Sequence, residues 1–231
     1  QGCEVTIFDQ QQAGQAASWA GGGILSPMYP WRYAPEVNQL AQYGKPLYQT
    51  WNEKLAPITG VDFQIHESGM LIFDEQDFQS GLNYAVEQHE PMQTCELLNR
   101  AELEMVNPHL STQFKQAIYF PQLSNIRNPQ LLQSLIIYLK QHPLVSFFEN
   151  CPIEKLIIQN QKVQGIETSN GQQFFADHVV LCSGAWSQQW AGQLLRKIQV
   201  HPVQGQMLLF KTPANWLPTM CMNRVMYLIP R

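Results

Sequence analysis

Charge is scarce in this chain. Only 14% of its 231 residues are Asp, Glu, Lys or Arg, against about 25% in ordinary globular proteins, and glutamine supplies much of the polar surface instead. With a net charge of -4 and no basic run, the sequence argues against a nucleic-acid partner and against an anionic membrane surface. No apolar run approaches the roughly 18 residues of a membrane span, and no signal-peptide pattern opens the sequence. The five cysteines are odd in number, scattered and never in C-x-x-C spacing, which argues against a disulfide framework and a zinc site. A cytoplasmic location is the default expectation. No G-x-G-x-x-G turn, no internal repeat and no Ser-His-Asp or Cys-His pattern is found, and the six histidines are dispersed. The length suits one large domain or two modest ones.

What is present begins at the first residues. Residues 3–8 read as a short apolar strand ending on Asp9. In a dinucleotide-binding βαβ unit, an acid in that place hydrogen-bonds a ribose hydroxyl, about 20 residues after a Gly-rich turn. The residues in hand start too late to contain that turn, so they are expected to be the second half of such a unit. An acid after a strand is also common on surfaces, and Asp9 alone decides nothing. A run of small residues follows and ends in Gly21-Gly22-Gly23. Glycine is needed where backbone approaches another group closely or takes positive φ. The flanking Trp19, Ile24 and Leu25 are out of place in a solvated loop.

Residues 26–35, with three prolines and three aromatics, are expected to be extended and fixed. Trp31 and Arg32 within them suit a packed corner better than a lid over a substrate. A helix is expected over 36–55, kinked at Pro46, on the period of Val37, Leu40, Leu47, Trp51 and Leu55. Strands are expected at 61–65, 69–73 and 114–120. Asp74 is placed as the cap of a helix over 76–89, and Asn99 as the cap of another with Glu102 in capping-box position. Asn128-Pro129 reads as a helix start, and the leucine stripe beyond it as core. A strand at 145–148 precedes three short strands at 153–158, 162–168 and 173–176, the last two joined through Asn170-Gly171. Residues 178–182 are almost wholly apolar, as in a parallel strand buried on both faces, and run into a helix expected over 187–195. Strands at 204–210 and 225–229 complete the reading.

The order of these pieces resembles the D-amino-acid oxidase-like family of FAD-dependent oxidoreductases, and within it the glycine oxidase branch of thiamine biosynthesis. The carriers are Asp9, the segment Ser18-Trp19-Ala20-Gly21-Gly22-Gly23-Ile24-Leu25-Ser26-Pro27, Gly60-Val61-Asp62-Phe63 and Ser68-Gly69-Met70-Leu71. The strand meander, Val179 to Ser187 with its Gly-Ala-Trp-Ser motif, Pro202 to Gln206, and Tyr227-Leu228-Ile229-Pro230-Arg231 complete them. The resemblance runs the length of the chain. It implies an α/β fold, with a Rossmann-like FAD-binding domain (1–35 and 121–200) interleaved with a mixed-sheet α+β substrate domain (36–120 and 201–231). Two family elements are not among these residues: the first strand with its diphosphate loop, and a C-terminal segment whose arginine holds the substrate carboxylate. These 231 residues alone are therefore expected neither to hold FAD tightly nor to turn over.

Residue by residue, the resemblance implies that Asp9 meets the adenosine ribose and that Ala17, Ser18, Gly22, Gly23 and Ile24 line the flavin. Ile153 would meet the adenine end through its backbone, Ser183 and Gly184 would lie under the dinucleotide, and Gln206 would sit on a strand near the isoalloxazine. Tyr227 would help to fix the substrate. Gln204 departs from the family, where a basic residue is frequent. The reaction implied is hydride transfer from the α-carbon of a small amino acid to flavin N5, giving an imine, with oxygen then reduced to hydrogen peroxide. The cofactor carries the chemistry and the protein orients it, holding the α-carbon about 3–3.5 Å from N5. A homo-oligomer is an open expectation. A nicotinamide dehydrogenase would share the acid-ended strand but not the meander, and a non-catalytic binding module is the third reading. Within the first, sarcosine-type and D-amino-acid oxidation stay open.

Overall fold

A computed structural model describes residues 2–87, 94–193 and 199–231. In chain order its first elements are β1 (Val5–Phe8), α1 (Ala17–Ala20), α2 (Pro35–Thr59), β2 (His66–Glu67), β3 (Met70–Ile72) and α3 (Phe78–Glu87). They are followed by β4 (Glu96–Asn99), α4 (Arg100–Val106), β5 (Gln116–Phe120), β6 (Ser124–Asn125), α5 (Asn128–Gln141) and β7 (Val145–Phe148). The chain then forms β8 (Ile153–Gln159), β9 (Lys162–Thr168), β10 (Gln173–Phe175), β11 (Met220–Met222) and β12 (Tyr227–Leu228). It divides into two compact units, Gln1–Ala16 with Leu139–Leu208, and Ala17–Tyr138 with Leu209–Arg231.

The first unit holds a parallel pair, β1 with β7, in the register Val5↔Val145 to Phe8↔Phe148. Beside it in sequence runs the antiparallel meander β8-β9-β10. Both of its turns follow from local chemistry. Asn160 and Gln161 take φ of 50° and 61°, as a two-residue hairpin turn requires. At the second turn the Thr168 hydroxyl faces the Asn170 side chain at 2.6 Å. Leu156, Ile166 and Trp190 form the buried cluster, with Phe8, Ile153 and Val179 packed against it.

Three expectations fail in this unit. Residues 178–182 pair with no strand among the described residues, and Val180 is 81% exposed. Apolar character reports a preference for burial, but a strand exists only through a neighbour that takes its hydrogen bonds. Residues 204–210, which run on into the second unit, likewise form no strand, and Leu208 is 75% exposed. The helix expected over 187–195 is instead a run of 3₁₀ turns, Gly184–Gln193, and its last two residues lie outside the described residues.

The second unit is built on a five-stranded mixed sheet, β12-β11-β3-β5-β4, in which only β11 and β3 run parallel. Side chains alternate between faces. Met70, Ile72, Ile118, Phe120, Met220 and Met222 point to one side, where Tyr29, Trp31 and Tyr227 join them. Leu71, Ala117 and Cys221 point to the other, under Leu98 and Leu103. Full burial of each large apolar side chain contributes about 1.5–3 kcal/mol. α4 starts at Asn99 with a complete capping box, Asn99 accepting from the Glu102 amide and Glu102 from the Asn99 amide.

α2 runs unbroken through Pro46 from Pro35 to Thr59. The stripe expected on it is only partly core: Leu55 is buried while Leu40 is 73% exposed. Leu55 joins Phe63 and Ile126 in a third cluster, covered by Leu131 and Leu135 of α5. Residues 61–65, expected as a strand, carry no ladder, and the pairing starts at β2, His66 opposite Asn125. Asp74 precedes a 3₁₀ turn (Glu75–Asp77) that leads into α3, without a side-chain capping bond. The expected helix end at 88–89 lies outside the described residues. Residues 17–35 and 121–138, read from sequence with the nucleotide-binding part, group with this second unit. The reason is local: the Ile126 amide donates to Gly23 O at 2.8 Å and the Leu25 amide to Ser124 O at 2.9 Å.

No disulfide forms among the cysteines. Cys3 and Cys182 are exposed, Cys95 and Cys151 intermediate, and Cys221 buried. Burial, with Glu96 adding to it, pushes the Cys95 thiol up to about 12. Burial pushes Cys221 up to about 11 against a hydrogen bond from Asn107.

Candidate functional site

Each unit contributes one group of the candidate residues. In the first, Asp9 directly follows the parallel strand β1. Its amide donates to Phe148 O and its carbonyl accepts from the Cys151 amide, both at 2.9 Å. Its carboxylate accepts from the Gln11 amide at 2.9 Å. The carboxyl ends of parallel strands are where α/β folds bind ligands, so the acid stands at the expected edge. Ile153 opens β8 two residues beyond Cys151 and packs against the Leu156 cluster. Ser183 and Gly184 open the 3₁₀ run, with the Ser183 and Ser187 hydroxyls 3.2 Å apart and Gly184 at φ 50°. Gln206, expected on a strand, is exposed and outside any element.

In the second unit, Gly22, Gly23, Ile24 and Tyr227 come together. A Cβ on Gly22 would lie 2.8 Å from Ile229 Cδ1 and 2.9 Å from Tyr227 Cε2. Gly23 has φ of 75°, and a Cβ there would lie 2.1 Å from Ile126 O. The run is therefore glycine because this chain's own atoms press on it. Ile24 bridges Asn125 and packs on the same cluster as Tyr227 and Ile229. Ala17 and Ser18 lie in the exposed α1, tied down through Ser18 O, which accepts from Asn128 Nδ2 at 3.0 Å.

Two features escaped the sequence reading. Arg231 donates to Ile126 O at 2.9 Å and to Gly22 O at 2.8 Å. Burial and the neighbouring Arg127 lower its pKa, while Tyr227 opposes them. The other is an ionic corner around Asp77, which accepts from Trp31 Nε1 at 3.0 Å, from Arg32, and from Arg224 Nη2 at 3.3 Å. Asp74 beside it accepts from the Tyr29 hydroxyl at 2.5 Å. Burial, that hydrogen bond and the Asp74 charge drive the Tyr29 pKa upward. Trp31 and Arg32 thus belong to a packed corner, as expected, with the Trp31 ring stacked on Phe120. The acidic stretch Asp74-Glu75-Gln76-Asp77 was the only signal for it in the sequence.

An apolar cavity of about 180 Å³ opens on the opposite face of the large sheet, lined among others by Phe73, Leu110, Phe114, Trp216 and Cys221. None of the candidate residues lines it. Among the described residues, no group of three or more His, Cys, Asp or Glu side chains could hold a metal ion, and no helix is long and apolar enough to cross a membrane.

Comparison with known proteins decides the family. The sequence model for FAD dependent oxidoreductases of the DAO type matches residues 1–231. The chain belongs to this family. Among its relatives, a glycine oxidase of Pseudomonas putida is 40% identical over 232 residues, covering 99% of this chain and 61% of that protein. A glycine oxidase of Pseudomonas aeruginosa is 35% identical over 230 residues, covering 100% of this chain and 62% of that protein. The chain thus spans about three fifths of the length of these relatives. The fold agrees as well: the crystal structure of glycine oxidase from Bacillus cereus superposes with a TM-score of 0.84 at 23% identity, covering 100% of this chain and 62% of that one. The α/β architecture, with Rossmann-like and mixed-sheet parts, is that of the family.

Proposed function

We propose that the full-length protein oxidises glycine, or a similarly small amino acid, with FAD and oxygen, giving the imine and hydrogen peroxide. The observation that carries this reading is the 40% identity to a glycine oxidase over 99% of the chain. Asp9 at the carboxyl end of a parallel strand suits a ribose hydroxyl, and the glycine run, packed by Tyr227, Ile229 and Ile126, is a fixed stretch of backbone assigned to the flavin. Bound FAD would supply the hydride acceptor and the route for electrons to oxygen.

The chain's own residues then have the work of positioning. Gly22 and Gly23 present backbone, Ala17, Ser18 and Ile24 border them, and Ile153, Ser183 and Gly184 serve the dinucleotide. Tyr227, in contact with the glycine run, offers its hydroxyl to the substrate. Gln206, in the exposed segment, is assigned to the isoalloxazine end. A place in supplying the thiazole half of thiamine rests on the sequence resemblance, a cytoplasmic location on the scattered cysteines, and a homo-oligomer stays an open part of the proposal.

In the full-length protein purified with FAD, anaerobic glycine should bleach the visible flavin spectrum. A flavin spectrum unmoved by glycine but bleached by sarcosine or a D-amino acid would transfer the activity to another small amine. Absence of flavin would overturn the reading altogether.

A further inference from the structure

We infer that Arg231 is a positioning residue, joining the glycine run, the segment before α5 and the strand bearing Tyr227 into one rigid wall of the proposed flavin site. The inference rests on that proposed function for its purpose, but its geometry stands on the structure alone.

Three stretches far apart in sequence meet here. The first is the glycine run, zipped to the second by the Ile126 amide on Gly23 O and the Leu25 amide on Ser124 O. The third is the arm from Tyr227 to Arg231, whose Tyr227 and Ile229 side chains fill the space a Cβ on Gly22 would need. Zipping secures the first two stretches to each other, and β12 at the start of the arm is laddered to β11 in the large sheet. The Arg231 guanidinium bonds the arm to both of those stretches. One nitrogen reaches Ile126 O at 2.9 Å and the other Gly22 O at 2.8 Å. Ile126 therefore engages the wall through both backbone groups, and its side chain is 1% exposed.

Two features make arginine the residue for this place. Its planar fork delivers several N–H donors at fixed angles, so it can span two carbonyls on separate segments, whereas an ammonium on a flexible stem is a point donor. It also forms no ion pair with an acidic side chain among the described residues. Carbonyl oxygens, not carboxylates, hold it in place, so it serves as a backbone staple.

The test uses the full-length protein with Arg231→Lys and Arg231→Gln variants. Two readouts are followed: amide hydrogen exchange and FAD dissociation constant. Both variants should speed exchange at residues 21–25 and 124–126 by about tenfold or more, and weaken FAD binding by about tenfold. Exchange elsewhere in the second unit should stay near wild type. Lysine behaving like arginine would overturn the inference, because charge alone would then suffice. So would wild-type exchange in both variants, or exchange raised uniformly across the unit, which marks a stabilising residue without a positioning role. Should the wild-type protein bind no FAD, the proposed function fails while the exchange pattern still judges Arg231.

Discussion

Replacing Gly23 with alanine should lower the melting temperature by on the order of 10 °C and weaken FAD binding at least tenfold. Two costs add. A non-glycine residue in the left-handed region costs about 1–2 kcal/mol, and Gly23 sits there at φ 75°. The new methyl would also lie 2.1 Å from Ile126 O, and overpacking of that kind costs about 1–3 kcal/mol. Ile126 cannot retreat cheaply, because its amide donates to Gly23 O and its carbonyl accepts from Arg231. At roughly 2–4 °C per kcal/mol for a chain of this size, the sum is a large shift. Gly44→Ala is the control: Gly44 lies within α2 with nothing inside 4 Å of an added Cβ, so the change should stabilise by up to about 1 kcal/mol. Equal melting of the Gly23 variant and wild type, by calorimetry, would show the close approach to be absent.

Asp77→Ala should cost about 2–4 kcal/mol, between the near-zero value of an exposed ion pair and the larger loss on breaking a buried one. The carboxylate is 7% exposed, while its partners Arg32 and Arg224 are 38% and 46% exposed, which sets the intermediate figure. Trp31 Nε1 would be left without its acceptor. Burial alone would push the Asp77 pKa up, but hydrogen bonds from Trp31, Arg32 and Arg224 outweigh it and hold the carboxyl below its usual range. Because the folded pKa is lower than the unfolded value of about 3.9, the stabilisation is complete above that pH. It disappears as the pH falls through the folded pKa. The wild type should therefore lose stability on acidification below about pH 4 more steeply than Asp77→Asn, in denaturant titrations across that range. Parallel curves would remove Asp77 from the account.

What could be read from sequence and what could not divide by the range of the interaction. Asn99 with Glu102, and Asn170 with Gly171, formed as expected because each is settled within a few residues. The glycine run was legible as a close approach, although the atoms pressing on it, Tyr227, Ile229 and Ile126, were not. Residues 178–182 looked like a buried strand, yet their composition could not specify a neighbour to pair with. Arg231 was visible only as the end of a motif, since its two acceptors lie 105 and 209 positions away and are backbone carbonyls. Nothing in a side-chain pattern marks a backbone acceptor. The ionic part of the Asp77 corner was hidden by range alone, since Arg224 reaches the carboxylate across 147 positions.

The uneven burial of the cysteines has a practical consequence. Cys3 and Cys182, the exposed thiols, both fall in the first unit, whereas Cys95 and Cys221, pushed up to about 12 and about 11, fall in the second. Only the thiolate reacts with maleimides and alkylating reagents, so the second unit is shielded from them at neutral pH. Among these five cysteines, a maleimide fluorophore should label Cys3 and Cys182 of the first unit before Cys95 and Cys221 of the second. The two halves of the molecule thus carry a built-in chemical distinction, ready for site-selective attachment or footprinting by mass spectrometry.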